Sequence, residues 1–191
     1  MTVCIFASSS SRVNNDYAKA ASELGILLAR AKMDVVYGGG GIGLMGKLAE
    51  SVIKTGGRIT GIIPAFMKEE GWDHPEVSEM IITPDMSERK KQMFARADAV
   101  VALPGGVGTL EELTEAITLK QLGLFKGSVI ILNSLNFYKS LIEFLDQMIE
   151  GRFLRYEHKG MWQIAATPGE VMEYLAKNEA WIHDPRSIAK I

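Results

Sequence analysis

Short apolar runs that do not alternate with polar residues recur through this chain, and they constrain the fold more than any other feature. Thr2-Val3-Cys4-Ile5-Phe6-Ala7 is the first, followed by Val35-Val36-Tyr37, Ile59-Thr60-Gly61-Ile62-Ile63, a run around Met80-Ile81-Ile82, Asp98 to Leu103, Val129 to Asn133 and a last short run at Trp162-Gln163-Ile164-Ala165. A run without alternation is the mark of a strand buried on both faces, as in the middle of a parallel sheet. Helical segments separate them. Tyr17 to Ala31 carries Leu24, Leu27, Leu28 and Ala31 on one face, and Leu44 to Lys54, Asp85 to Arg96, Phe137 to Ile149 and Glu170 to Ala176 read likewise. Strands alternating with helices imply a doubly wound parallel α/β sheet, and 191 residues suit one such domain. Residues 1–177 are read as that domain and 178–191 as a tail. Pro64 to Pro75 reads as an irregular polar link, either a lid or a mobile connection.

The ends of three strands carry the chemistry. The first run ends in Ser8-Ser9-Ser10-Ser11, a loop that offers hydroxyls and amides where open α/β sheets bind ligands. The second ends in Gly38-Gly39-Gly40-Gly41-Ile42-Gly43-Leu44-Met45-Gly46, with two overlapping G-x-G-x-x-G matches between a strand and a helix. A dinucleotide site would place that motif on the first strand and an acidic residue about 20 positions on. Here it follows the second strand, and the next strand ends in Pro64 without an acid, so NAD is disfavoured. No Gly-Lys-Ser/Thr closes the loop, so it is not a Walker P-loop.

The third loop, Pro104-Gly105-Gly106-Val107-Gly108-Thr109-Leu110-Glu111-Glu112, leads into a helix with an expected buried stripe of Leu110, Leu113, Ala116, Ile117 and Leu124. Its glycines permit close backbone approach to a ligand, and free amides at a helix start attract anions. Glu112, beside such a cradle, has two readings. Thr109-x-x-Glu112 has capping-box spacing; alternatively, Glu112 is a reactive carboxylate. Asp85 and Glu88 also stand at capping-box spacing, and Arg89-Lys90-Lys91 follows within two turns. Cations there oppose the helix dipole, so the run calls for an anionic ligand or a carboxylate partner.

Composition excludes several classes. A net charge of −2 argues against a nucleic-acid-binding surface. Cys4 is the single cysteine, leaving no intramolecular disulfide or thiolate metal site, and the three histidines lack zinc spacing. The N-terminal apolar run is too short for a signal peptide, and no run has the length of a membrane span. A cytoplasmic protein that engages neither nucleic acid nor membrane is expected.

Three ordered motifs carry a family resemblance: Gly38 to Gly46, Met86-Ser87-Glu88-Arg89-Lys90, and Pro104 to Glu112; Gly57 to Pro64 and Gln121-Leu122-Gly123 add to it. From about Cys4 to Ala176 the chain resembles the Lonely-guy family, cytokinin riboside 5′-monophosphate phosphoribohydrolases of Rossmann-like fold. The resemblance implies hydrolysis of the N-glycosidic bond of a purine nucleoside 5′-monophosphate, by a homodimer without metal or organic cofactor. By motif, Arg89 and Glu112 are implied as the catalytic pair. Gly105, Gly106, Gly108 and Thr109 are implied as the phosphate cradle, with Lys90 and Thr118 nearby. Ser8, Ser9, Gly40, Gly41, Gly43, Met45, Gly46, Pro104, Leu110 and Glu111 complete the implied substrate-binding set. Ser87 stands where the family often has a histidine, and Leu119 where it often has a tryptophan. The family has also carried a lysine decarboxylase label, but no lysine sits in a recognisable Schiff-base context. The rival reading is a Rossmann-like nucleotide or cofactor carrier without catalysis.

Overall fold

The computed structural model describes residues 1–77 and 79–177; the tail expected at 178–191 lies outside the described residues. Seven strands form one sheet: β1 (Thr2–Phe6), β2 (Asp34–Tyr37), β3 (Ile59–Pro64), β4 (Glu79–Thr83), β5 (Ala99–Ala102), β6 (Ser128–Leu132) and β7 (Gln163–Ala165). Their spatial order is β4-β3-β2-β1-β5-β6-β7, with every pair parallel. The helices are α1 (Asn15–Arg30), α2 (Gly43–Lys54), α3 (Ala65–Glu69), α4 (Met86–Arg96), α5 (Val107–Gln121), α6 (Lys139–Glu150) and α7 (Pro168–Lys177).

Two apolar layers explain the unbroken runs in the sequence. Val3 and Ile5 of β1 face Leu24 and Leu28 of α1, Leu48 of α2 and Val171 of α7 in one cluster. Cys4 and Phe6 face the other way, joining Met93 of α4, Leu113 and Ala116 of α5 and Leu145 of α6. β5 and β6 divide in the same manner, Val101 and Ile130 into the first layer, Val100 and Ile131 into the second. Both faces of the central strands are covered, so no position along them favours a polar residue.

Two local expectations are corrected. The link from Pro64 to Pro75 is not irregular throughout: it contains α3, which Pro64 leads into. One turn of helix, Ala-Phe-Met-Lys-Glu, is too short to show a helical period. The predicted stripe of α5 holds at Leu113, Ala116 and Ile117, whereas Leu110 and Leu124 are exposed and Thr109, Glu112 and Lys120 are buried instead. An apolar period cannot anticipate buried polar groups that have partners.

The strand order reverses direction between β1 and β5, the topological switch point of the sheet. Ligands of open α/β sheets bind in the crevice beyond the carboxyl ends of the strands at such a point. The serine loop after β1 and the glycine loop after β5 are therefore neighbours, joined by Ser8 N–H donating to the Pro104 carbonyl at 3.3 Å.

Candidate active site

A cavity of about 640 Å³ opens at this switch point. It is lined by the serine loop, both glycine loops, α3, and the starts of α4 and α5. Its size is that of an ordinary small-ligand site.

Arg89 and Glu112 meet at its floor. Asp85 caps α4 by accepting the Glu88 amide at 2.8 Å, which sets Arg89 one turn into the helix. The buried guanidinium then donates three ways: Nη1 to Glu112 Oε1 at 2.8 Å, Nε to the Ile62 carbonyl at 3.0 Å and Nη2 to the Gly38 carbonyl at 3.3 Å. Gly38 is required for this approach, because a Cβ there would stand 2.1 Å from Nη2. Arg89 and Glu112 are 6% and 7% exposed, so water screens the pair little. Burial raises the Glu112 carboxyl pKa above its ordinary value, and Arg89 opposes that shift without cancelling it. The site thus holds a carboxylate whose proton affinity is raised, beside a fixed cation.

The capping-box reading of Thr109 and Glu112 is overturned. α5 begins three residues earlier, with Gly106 as its N-cap and no side chain capping it. Thr109 packs instead on Gly105, where a Cβ would meet its hydroxyl at 2.1 Å. Glu112 points to Arg89 and not back along its own helix. The first-turn amides of Val107, Gly108 and Thr109 precede the first intrahelical bond, Leu110 N–H to the Gly106 carbonyl at 3.0 Å. A Cβ added at Gly106 or Gly108 would meet no atom within 4 Å. Uncapped amides at a helix start that lines a cavity suit an anion.

The other glycine loop is closed. The Ser8 carbonyl accepts the amides of Leu44 and Met45 at 2.9 and 3.2 Å, and the Ile42 carbonyl takes that of Gly46 at 3.3 Å. Gly43 (φ +69°) would set a Cβ 2.5 Å from the Ser9 carbonyl carbon, and Gly46 one 2.3 Å from the Gly41 oxygen. Gly41 lies against Asp73 and His74. These glycines pack loops together.

Of the residues assigned from sequence, Ser8, Ser9, Gly40, Met45, Arg89, Gly106, Gly108, Thr109, Glu111 and Glu112 line the cavity. Gly41, Gly43, Gly46, Pro104 and Gly105 stand behind it as packing and hydrogen-bonding residues. Lys90 is drawn to carboxylates, pairing with Glu111 and with Glu115 Oε2 at 2.7 Å. That meets the expectation of a carboxylate partner for the basic run. Leu110 lies on the exposed side of α5, and Thr118 is exposed near its far end, its hydroxyl bonded to the Thr114 carbonyl at 2.8 Å. Sequence reasoning missed Gly38 and Ile62, whose carbonyls hold Arg89, and the apolar wall of Met67, Trp72 and Met86. Gly38 and Met86 stand at the heads of two of the motifs and Trp72 is a large aromatic in a polar link, whereas nothing in the sequence singles out Ile62 or Met67.

Among the described residues no group of histidine, cysteine, aspartate or glutamate has the arrangement of a metal site, and no helix is long and apolar enough to cross a membrane.

The family model described as a possible lysine decarboxylase matches residues 45–175. A probable cytokinin riboside 5′-monophosphate phosphoribohydrolase of Oryza sativa subsp. japonica is 39% identical over 173 residues, 91% of this chain and 69% of the relative. A cytokinin riboside 5′-monophosphate phosphoribohydrolase of Arabidopsis thaliana is 41% identical over 152 residues, 80% of this chain and 71% of the relative. Among solved structures, the molybdenum cofactor carrier protein of Chlamydomonas reinhardtii superposes with a TM-score of 0.71 at 18% identity, covering 92% of this chain and 96% of that one. The molybdenum cofactor binding protein of Rippkaea orientalis does so with 0.69 at 22% identity, covering 92% and 95%. At such identities the structural neighbours speak for the Rossmann-like fold alone. The sequence relatives go further: the chain belongs to the Lonely-guy family, the group to which that lysine decarboxylase description has been attached.

Proposed function

We propose that this protein hydrolyses the N-glycosidic bond of a purine nucleoside 5′-monophosphate, releasing free base and ribose 5-phosphate. The observation that carries the reading is the buried Arg89–Glu112 pair at 2.8 Å, on the floor of a cavity that also contains the open amide start of α5. The phosphate sits on the amides of Val107, Gly108 and Thr109, and this anchors the ribose over Glu112. Binding energy remote from the scissile bond then sets the reacting geometry.

Cleavage of a glycosidic bond passes through an oxocarbenium-like sugar. The C1′–N bond breaks with its electron pair going to the base, and the ionised Glu112 faces the positive charge that develops on the ribose. Water then forms the new C1′–O bond. Glu112 accepts the water proton, and that proton replaces the sugar on the base nitrogen, so atoms and charge balance. Arg89 holds the carboxylate in place and keeps its ionised form accessible despite burial.

No lysine lines the cavity among the described residues. Lys120, whose pKa burial lowers to about 8, donates to the Gly127 carbonyl at the other end of α5. A decarboxylase needing an amine at its centre finds none here.

The proposal includes a cytoplasmic homodimer. Leu122 and Leu124 are 58% and 73% exposed at the end of α5 that carries Thr118, an apolar surface a second copy would cover. Light scattering checks that element.

The deciding experiment is chromatographic detection of adenine released from AMP, or of the prenylated base from its riboside monophosphate, with the unphosphorylated nucleoside as control. Base release from the monophosphate alone supports the reading. Tight binding without release overturns it in favour of a carrier.

A further inference from the structure

The cavity has an end that the reaction does not use. From Glu112 the floor continues along Gly38, whose carbonyl takes Arg89 Nη2, to Gly40 and so to Trp72, whose carbonyl accepts the Gly41 amide at 3.0 Å. The uncapped amides of α5 come one turn ahead of Glu112, so Glu112 links them through Arg89 to Gly38 in this chain of contacts. In a nucleoside monophosphate the phosphate leaves the ribose at C5′ and the base at C1′. A ligand with its phosphate on α5 and C1′ above Glu112 therefore directs its base toward Gly40 and Trp72.

Trp72 also lines the cavity. Its indole is 50% exposed and belongs to neither apolar layer of the core. Its backbone is nonetheless fastened on every side. Its amide donates to the Met67 carbonyl at 3.1 Å, Asp73 bridges to Gly40, and the His74 amide donates to the Gly39 carbonyl at 2.9 Å. Core packing gives no reason for a large aromatic ring held at a cavity wall on a fixed backbone. Met45, Met67 and Met86 line the same cavity, offering polarisable thioethers suited to aromatic rings.

We propose that Trp72 is the stacking platform for the base and determines the preference for a purine over a pyrimidine ring. This rests on the nucleoside-monophosphate reading above. A bicyclic base overlaps the indole more fully than a monocyclic one, while ribose 5-phosphate does not reach it.

Calorimetric titration in a Glu112→Gln background, where ligand is not consumed, tests this with AMP, UMP and ribose 5-phosphate. Trp72→Ala weakens AMP by about tenfold, the scale of one base–aromatic stack, and narrows the AMP-to-UMP ratio. Ribose 5-phosphate affinity stays unchanged, and Trp72→Phe restores most of the AMP affinity. Tryptophan fluorescence gives a readout a structural role would not move: AMP quenches emission of the Trp72 protein, and the quench disappears in Trp72→Phe while binding persists. Equal weakening of AMP and ribose 5-phosphate in Trp72→Ala, or unchanged AMP affinity, overturns the platform while the hydrolase stands. Failure of both AMP and ribose 5-phosphate to bind with Trp72 present overturns the nucleotide reading itself, and the platform with it.

Discussion

The carbonyl oxygen of Ser8 accepts the amide of Leu44 at 2.9 Å, and this contact separates two glycine loops that look alike in sequence. With Met45 also bound to Ser8, the first turn of α2 has a protein partner where the first turn of α5 has none. One loop is a clasp between strands β1 and β2; the other presents its amides to the cavity.

The two loops should respond oppositely to the same substitution. Gly43→Ala places a Cβ against the Ser9 backbone at a φ of +69°, and a loss of about 2 kcal/mol or more is expected. Gly108→Ala meets open space in the first turn of α5 at an ordinary backbone conformation, so resistance to unfolding by heat or urea should hold or rise slightly. Its methyl group instead occupies room beside the phosphate, so the Michaelis constant for the monophosphate rises. Denaturant titration beside steady-state kinetics on both variants checks this.

Glu112→Gln and Arg89→Ala should each reduce kcat by about 10² to 10⁴, the range for loss of a positioned acid–base group. Their stabilities should differ. Arg89→Ala leaves a buried carboxylate without its cation and costs about 3–5 kcal/mol, relieved in part as Glu112 takes up a proton. Glu112→Gln removes the charge whose burial is unfavourable and keeps a hydrogen-bond acceptor for Arg89. Thermal unfolding of the two variants side by side should place Arg89→Ala clearly lower.

The pH dependence follows from the direction of the Glu112 shift. Its folded pKa lies above the ordinary 4.5, chiefly through burial. The reaction needs the ionised form, so activity should fall with acid at a pH above that of an ordinary glutamate. For stability the sign is opposite. A carboxyl with raised folded pKa contributes most below its unfolded value, and that contribution is lost as pH rises through the folded value. Replacing Glu112 by Gln should flatten this part of the stability profile between the two pKa values. A kcat/KM profile and melting curves over the acid range measure both.

Gly38→Ala should separate catalysis from folding. The new Cβ falls 2.1 Å from Arg89 Nη2, the mobile end of a side chain, so the guanidinium moves before the backbone does. A large loss of kcat with a smaller loss of stability is expected. Equal activity in the Ala variant would show that the Gly38 contact does not position Arg89.

Much of this was readable in advance, unevenly. β1, β5 and β6 were legible because strands with a helix layer on each face show no polar alternation. The helix of α4, with Asp85 as cap and a basic run calling for an anionic ligand or a carboxylate partner, is legible because caps and dipoles act within a turn. α3 was not, since five residues carry no period. Periodicity places Leu110 and Leu124 in the core, since it counts apolar residues and cannot see which face a neighbouring element leaves open.

By itself the sequence determined the parallel α/β order, the three loops at strand ends and the motifs that contain Arg89 and Glu112, because each depends on residues near one another in the chain. Only the tertiary structure decided that Glu112 pairs with Arg89 and does not cap its own helix, that Ser8 closes one glycine loop and leaves the other open, and that Trp72 stands at the cavity's far wall. Those outcomes rest on contacts between elements tens of residues apart, and a helix start is an anion site only where nothing else in the fold has already reached its amides.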